Sequence, residues 1–286
     1  MIAVVAALVV AAAIVTFSAV YTYGHVDPPR STQPPQPAPP HTAPPPQAAP
    51  TDLAAEFAQL AARMNAQMGL AVAAVDNGQS VTIWGDWQQG PAWSTIKVPL
   101  VIAAYRQQHE VTDKMKAAIT ESDNAAAEAL WAQLGDPPTA AQQVQQILQE
   151  TGDPTTVESR RLRTEFTAFG QTIWSLTNQV RFTAGAFCNP ANAPIFDLMG
   201  QVEPQQTWGI GTIPGAQFKG GWGPSTSGKY LVRQIGVLNT PHGKVAVAIA
   251  AEPASGSFDD GKRALDEAAT WLTAHLAQLP AGQCKS

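Results

Sequence analysis

The chain has little of what metal centres and nucleic-acid interfaces require. Its only two cysteines, Cys188 and Cys284, are too few and too far apart in sequence for a structural zinc site. Its five histidines are scattered, and two of them lie in or beside a proline-rich stretch. The 17 basic residues, against 22 acidic ones, form no cluster that could follow a phosphate backbone. We therefore expect no metal, no cofactor and no nucleic-acid partner.

Charge is also missing from the start of the chain, where residues 2–23 carry no charged side chain. About 20 apolar residues in a helix are enough to cross the hydrocarbon core of a bilayer. Residues 1–23 therefore predict a membrane-spanning helix. A cleaved signal peptide is the alternative, but no Lys or Arg precedes the run, the run is long, and the small-residue cleavage pattern is poor.

A proline-rich stretch follows at residues 24–51. Its composition of mostly Pro, Ala, Gln and Thr cannot bury a core and favours extended polyproline conformations. We interpret it as a semi-rigid spacer that holds a folded domain, residues 52–280, away from the bilayer. Flanking Lys and Arg residues are too few to indicate which side of the membrane that domain occupies.

The folded part begins and ends with helices that accompany strands. An apolar stripe at helical spacing, from Leu53 through Met64 to Met68, is followed by strand-like runs at 70–75 and 81–84, which are joined by the turn sequence of residues 76–78. Three further strands begin at 217, 230 and 244, before a last helix that starts near Ser257. Residues 93–205 have a helical composition, and Thr139 with Gln142, after two prolines, forms a helix-capping pattern within them. The predicted fold is α/β in the α+β sense: an antiparallel sheet from both chain ends, flanked by terminal helices, with an all-helical insert.

Two residues at the start of the insert could perform nucleophilic chemistry. Ser94 and Lys97 lie one helical turn apart on one face. A serine hydroxyl needs a base to remove its proton, and a desolvated lysine can be neutral enough to do so. Alone the pattern is weak, because a capping serine followed by a solvated lysine is common.

Two further motifs strengthen this interpretation. Ser122-Asp123-Asn124 follows in the helical block, and Lys219-Gly220-Gly221 follows on a strand that would border the cleft. In this order the three motifs resemble the signature elements of penicillin-binding proteins and class A β-lactamases. The resemblance covers most of the chain after Thr51 and implies a β-lactamase/transpeptidase-like fold.

The resemblance implies a role for each motif residue. Ser94 would form the acyl-enzyme, Lys97 would be a candidate base, and Ser122 would relay a proton to the leaving nitrogen. Asn124 would hold Lys97 and a substrate amide, while Lys219 would act on Ser122 and attract the substrate carboxylate.

Substrate binding is implied for further residues. The oxyanion would lie between the backbone N–H groups of Ser94 and Trp222, beside Gly220 and Gly221. Arg233 on the next strand is a candidate clamp for the substrate carboxylate, with an ordinary surface arginine as the alternative.

The sequence departs from the family pattern at three places. Gly220 replaces a threonine or serine whose hydroxyl would bind the carboxylate, a loss of about 1.5–3 kcal/mol. The stretch between Lys97 and Ser122 is short, so the cleft could be more open. Glu165 lies where a deacylating base would be expected, but Phe169 replaces the asparagine that normally follows. A solvated loop acid is the alternative for Glu165.

The expected function is that of an extracytoplasmic serine acyl-transfer enzyme, monomeric and tethered to the cell membrane, or secreted if the leader is cleaved. It would act on β-lactams or on D-Ala-D-Ala-like peptidoglycan stem peptides, by hydrolysis or transpeptidation. Two alternatives stay open: a catalytically weak or inactive envelope protein with a binding role, and a true β-lactamase. Outside the cytoplasm the two cysteines could form one disulfide, whereas two unpaired thiols are the alternative.

Overall fold

The structure is a computed structural model that describes residues 52–75 and 80–285. The predicted membrane helix, the spacer and the turn at 76–78 lie outside these residues. No helix in the described part of the chain combines the length and the apolar character needed to span a bilayer.

The helices and strands follow one another along the described chain. In order they are α1 (Leu53–Met64), β1 (Ala66–Ala74), β2 (Thr82–Gly85), β3 (Gln89–Pro91), α2 (Lys97–Gln108), α3 (Asp113–Lys116), α4 (Asn124–Gln133), α5 (Pro137–Gln149), β4 (Ile173–Ser175), α6 (Leu176–Phe187), α7 (Ala193–Met199), β5 (Gln217–Pro224), β6 (Tyr230–Thr240), β7 (Gly243–Pro253) and α8 (Phe258–His275).

The main sheet has five antiparallel strands in the order β2-β1-β7-β6-β5. Strands from the two ends of the chain meet where β1 pairs with β7, from Ala66 opposite Pro253 to Ala74 opposite Val245. The predicted antiparallel sheet with terminal helices and a helical insert is therefore confirmed. The strands β3 and β4 form a separate small sheet.

Two local predictions at helix ends were wrong. The apolar stripe predicts a first helix that continues to Met68, but α1 ends at Met64 because Asn65 adopts a left-handed conformation at φ 47°. Met68 instead lies in β1, paired with β7. For α5 the capping residue is Asp136, whose side chain accepts from the Thr139 N–H, and not Thr139 itself. The two prolines after Asp136 fit the first turn, where their missing N–H groups are tolerated.

Both faces of the main sheet are covered, and strand alternation divides the core in two. Leu70 and Val72 pack on the side of α1 and α8, with residues such as Phe57. Ala71 and Ala73 face the helical block, where their small side chains let α6 approach the sheet closely. The open edge of β5 borders the helical block, so this edge is where a cleft can form.

The cysteines form a disulfide between the end of α6 and the C-terminal segment. The Cα atoms of Cys188 and Cys284 are 5.1 Å apart, and 96 residues separate them in sequence. Beside the bond, Lys244 at the start of β7 exchanges backbone hydrogen bonds with Gly282. This resolves the choice between a bond and two unpaired thiols in favour of the bond.

Candidate active site

Ser94 lies in a short 3₁₀ turn, Trp93–Ile96, that leads directly into α2. It lines a cavity of about 420 Å³ between the helical block and the edge of β5, together with Asn124 and Trp222. The preceding Trp93 has a φ of 49°, an unfavourable backbone conformation for a residue with a large side chain. The turn thus presents the serine to the cavity at the expense of local strain.

Lys97 is buried beneath this turn. The side chain is 1% exposed, and its Nζ donates to the Ser122 carbonyl oxygen at 2.5 Å and to Asn124 Oδ1 at 2.8 Å. The Ser122 hydroxyl is 3.4 Å from the same nitrogen. Burial lowers the pKa of Lys97 from its ordinary value of 10.5 to about 7, against the opposing effect of the negative charge of Asp123. Near neutral pH a large fraction of this amine is therefore unprotonated.

A second buried lysine approaches the same hydroxyl from the sheet. Lys219 Nζ donates to Ser122 Oγ at 2.8 Å and to the Gly220 carbonyl oxygen at 2.9 Å. Burial, and then the charge of Lys97, hold its pKa well below the ordinary value. Ser122 reaches this position because it ends a π-helical turn in a left-handed conformation at φ 58°. The structure therefore brings Lys97, Ser122, Asn124 and Lys219 into one hydrogen-bonded cluster.

The strand β5 passes directly behind the turn that carries Ser94. A Cβ added at Gly221 would lie 2.8 Å from the backbone nitrogen of Ser94 and 2.9 Å from that of Thr95, closer than real Cβ contacts allow. Only glycine permits this approach. Trp222 follows and lines the cavity. The predicted oxyanion donors, the N–H groups of Ser94 and Trp222, thus belong to segments in contact at the cavity.

Comparison with known proteins bears on the fold that carries these residues. The model of the Beta-lactamase enzyme family matches residues 52–112, and no curated protein matches the chain by sequence. Among solved structures, the TLA-3 extended-spectrum β-lactamase aligns with a TM-score of 0.63 at 14% identity, over 78% of this chain and 98% of that one. A class A β-lactamase from Mycobacterium abscessus aligns with a TM-score of 0.61 at 15% identity, over 78% and 98%. A variant of the last common ancestor of Gram-negative class A enzymes aligns with a TM-score of 0.61 at 18% identity, over 80% and 100%.

The chain has the class A β-lactamase fold. On that fold Gly220 points away from Ser94: a Cβ added there would lie 3.3 Å from the tip of the Trp208 indole ring. Trp208 packs in turn against Trp222, with ring centroids 5.9 Å apart. The place where a hydroxyl was expected is therefore occupied by an aromatic cluster.

Glu165 lines the cavity but is engaged by a neighbouring arginine. Its carboxylate lies 3.2 Å from Arg163 Nη2, and 58% of its side chain is exposed. Arg163 also donates to the Pro224 carbonyl oxygen at the end of β5, at 2.5 Å, and covers the ring of Phe166. Phe169, in the expected place of an asparagine, packs against Trp131 in the core. The loop that carries Glu165 thus bridges the cleft through Arg163.

Arg233 does not form a carboxylate clamp, and this prediction was wrong. The side chain is 0% exposed. Its Nη1 donates to the carbonyl oxygens of Gly90 and Pro91, both at 2.9 Å, and its Nη2 donates to the Trp174 carbonyl at 3.0 Å and to Gln179 Oε1 at 2.5 Å. The alternative of a surface arginine was equally wrong, because the guanidinium is bonded in the interior of the protein.

Sequence reasoning missed a charged pair in the cavity wall. Glu128 and Arg161 both line the cavity, and Arg161 Nη2 lies 2.7 Å from Glu128 Oε1. Glu128 follows Asn124 by four residues on α4, so helical spacing alone would have placed the two on one face. Tyr230 and Phe166, which also line the cavity, lie in segments that carry no motif.

Proposed function

We propose that this protein is a serine acyl-transfer enzyme that acts on β-lactams or on peptides ending in D-Ala-D-Ala, through an acyl intermediate on Ser94. The observation that carries the proposal is the Ser122 hydroxyl held between the amines of Lys97 and Lys219 beside the serine turn. Burying two amines beside one hydroxyl is costly, and lowered pKa values of this kind cluster at functional sites.

Each residue of the site has its own part in the proton transfers of acylation. Lys97 in its neutral form takes the Ser94 proton as Oγ attacks the substrate carbonyl. The Ser122 hydroxyl then passes a proton to the leaving nitrogen and regains one from the lysines that it contacts. The negative charge that develops on the carbonyl oxygen is received by the backbone N–H groups of Ser94 and Trp222.

Release of the acyl group is the slower half of this cycle. Water must be activated by a base beside the ester, and the carboxylate of Glu165 is held by Arg163 and largely exposed to solvent. We therefore expect the acyl-enzyme to accumulate, as in a penicillin-binding protein, instead of turning over rapidly.

The proposed location is outside the cytoplasm, with the membrane helix at residues 1–23 as tether. The disulfide between Cys188 and Cys284 supports an oxidising compartment, because such bonds rarely persist in a reducing cytoplasm. The tether and the monomeric state remain predictions.

Covalent labelling tests the proposal. The full-length protein is incubated with a fluorescent penicillin and with a fluorophosphonate probe, then separated under denaturing conditions. We expect a stable label that is absent from Ser94→Ala. Nitrocefin should give a burst of about one equivalent, whereas sustained turnover would indicate a true β-lactamase.

A binding role without catalysis is the second candidate, favoured by Gly220 and by the absence of Arg233 from the cavity. Failure of both probes to label the wild type, together with reversible binding of the penicillin, would support it against the enzyme.

A further inference from the structure

We infer that Arg233, Gln179 and Thr95 form a buried relay of hydrogen bonds that holds the nucleophile turn in its reactive conformation. This inference rests on the proposed function, since it concerns the reactivity of Ser94. The three residues come from β6, α6 and the turn itself, and each is buried without measurable exposure.

The direction of the hydrogen bonds is fixed by the donors. Arg233 can only donate, so its Nη2 bonds to Oε1 of Gln179. The Nε2 of the Gln179 amide is then directed towards the turn, where it donates to Thr95 Oγ1 at 2.9 Å. The Thr95 hydroxyl, having accepted, donates to the Ala92 carbonyl oxygen at 2.6 Å. The relay therefore has one consistent polarity from the guanidinium to the turn.

The contacts bracket the strained part of the turn. Upstream, Arg233 Nη1 binds the carbonyl oxygens of Gly90 and Pro91, four and three residues before Ser94. Downstream, Gln179 binds Thr95, the residue directly after Ser94. Between the two anchors lies Trp93 with its positive φ. A strained backbone persists only where its surroundings determine it, and the relay supplies that restraint on both sides.

The cost of burying the charge of Arg233 argues against a role that is only to fill space in the core. All four of its hydrogen-bond acceptors are neutral oxygens, and the guanidinium also lies over the Trp87 ring, 5.0 Å from its centroid. Burial lowers the pKa of Arg233 to about 9, against the opposing effect of the negative charge of Glu252. Such a buried cation is costly compared with an apolar residue of similar size. Arg233 also lies directly opposite Gly221 in the β5–β6 register, and Gly221 is the residue that touches the Ser94 amide. Arg233 therefore links the backbone just before Ser94 to β6, which pairs with β5 behind the turn.

Thr95 offers the cleanest test, because Thr95→Val removes the hydroxyl with little change in volume. In the full-length protein we expect the limiting rate constant of acylation by fluorescent penicillin to fall about 10- to 100-fold, as for a slightly misplaced nucleophile. The apparent binding constant for the penicillin should change less than about threefold. Thr95→Ser, which retains the hydroxyl, should acylate within about threefold of the wild type.

Thr183→Val is the matched control. Thr183 is equally buried on α6, and its hydroxyl donates to the backbone oxygen of Gln179 at 2.8 Å, outside the relay. The same chemical change there should lower the melting temperature without slowing acylation. Arg233→Lys tests the upstream anchor, because a lysine cannot reproduce the forked contacts; it should slow acylation at least as much as Thr95→Val.

Three results would overturn the inference while leaving the proposed function intact: an unchanged acylation rate in Thr95→Val, an equal loss in Thr183→Val, or a failure of Thr95→Ser to preserve the rate. A wild-type protein that neither probe labels would instead refute the proposed function, and with it the relay as a device for reactivity.

Discussion

The lowered pKa of Lys97 leads to a prediction about how both reactivity and stability depend on pH. If neutral Lys97 is the base, acylation of Ser94 requires the unprotonated amine. The rate constant for acylation should therefore rise with pH along a curve with an apparent pKa of about 7 and become level above about pH 8.

The magnitude follows from the same value. With a pKa of about 7, about half of Lys97 is neutral at pH 7 and about a tenth at pH 6. We expect acylation at pH 6 to be about fivefold slower than at pH 7. An unperturbed lysine would instead give a tenfold increase for each pH unit up to about pH 10.

Stability should change with the same group. The unfolded chain, with a lysine pKa near 10.5, binds more protons than the folded one between about pH 7 and pH 10.5, so this group's contribution to folding becomes more favourable as pH rises through that window. Below about pH 7 the unfavourable contribution is constant, at most about 5 kcal/mol for a shift of this size. Lys97→Met removes it, so the variant should gain stability relative to the wild type more at pH 6 than at pH 9.

Two measurements check these expectations. Stopped-flow acylation with a fluorescent penicillin between pH 5 and pH 9 gives the rate curve, and urea unfolding of wild type and Lys97→Met at pH 6 and pH 9 gives the stability difference. An acylation rate that still climbs tenfold per unit above pH 8 would refute the assignment of Lys97 as a largely neutral base. An equal stability difference at both pH values would refute the lowered pKa itself.

The remaining predictions concern the surroundings of Ser94 and the disulfide. Asp123→Asn, which keeps a good helix cap but removes the charge that raises the Lys97 pKa, should shift the acylation curve to lower pH; a shift to higher pH would contradict the electrostatic reasoning. Gly221→Ala should reduce acylation at least tenfold, because its Cβ would collide with the Ser94 amide, whereas Gly220→Ala, measured alongside in the same labelling assay, should be milder because only the Trp208 ring must adjust. Cys188→Ala should lower the urea-unfolding free energy by about 2–4 kcal/mol, and an unchanged value would mean that the bond restrains little of the unfolded chain.

The sequence was sufficient to predict the hydrogen-bonded cluster because its residues lie in three short motifs that resemble, in order, those of a known family. Lys97 follows Ser94 by one turn, and the position of Ser122 was expected within the helical block. The strand carrying Lys219 was expected to begin at residue 217, as the first of the last three strands. Such patterns are local, and the sheet made from both chain ends then determines that they meet.

The buried position of Arg233 and its hydrogen-bond partners could not be predicted in the same way. Its acceptors come from β3, the small-sheet strand β4 and helix α6, three segments distant from it in sequence. No local pattern distinguishes an arginine directed at a substrate from one directed at backbone carbonyls. The N-cap of α5, by contrast, could have been predicted from the sequence. Proline prefers the first turn of a helix, and the two prolines of α5 directly follow Asp136.

The packing of Trp208 against the β5 strand limits how this cavity could change over generations. A side chain larger than glycine at 220 would place its Cβ 3.3 Å from the indole tip, so the ring must yield before a hydroxyl can be accommodated there. A smaller residue at 208 would also remove support from Trp222 in the cavity wall. Natural selection or a mutagenesis library seeking tighter recognition of acidic substrates should therefore gain more from changing 208 and 220 together than from changing either position alone.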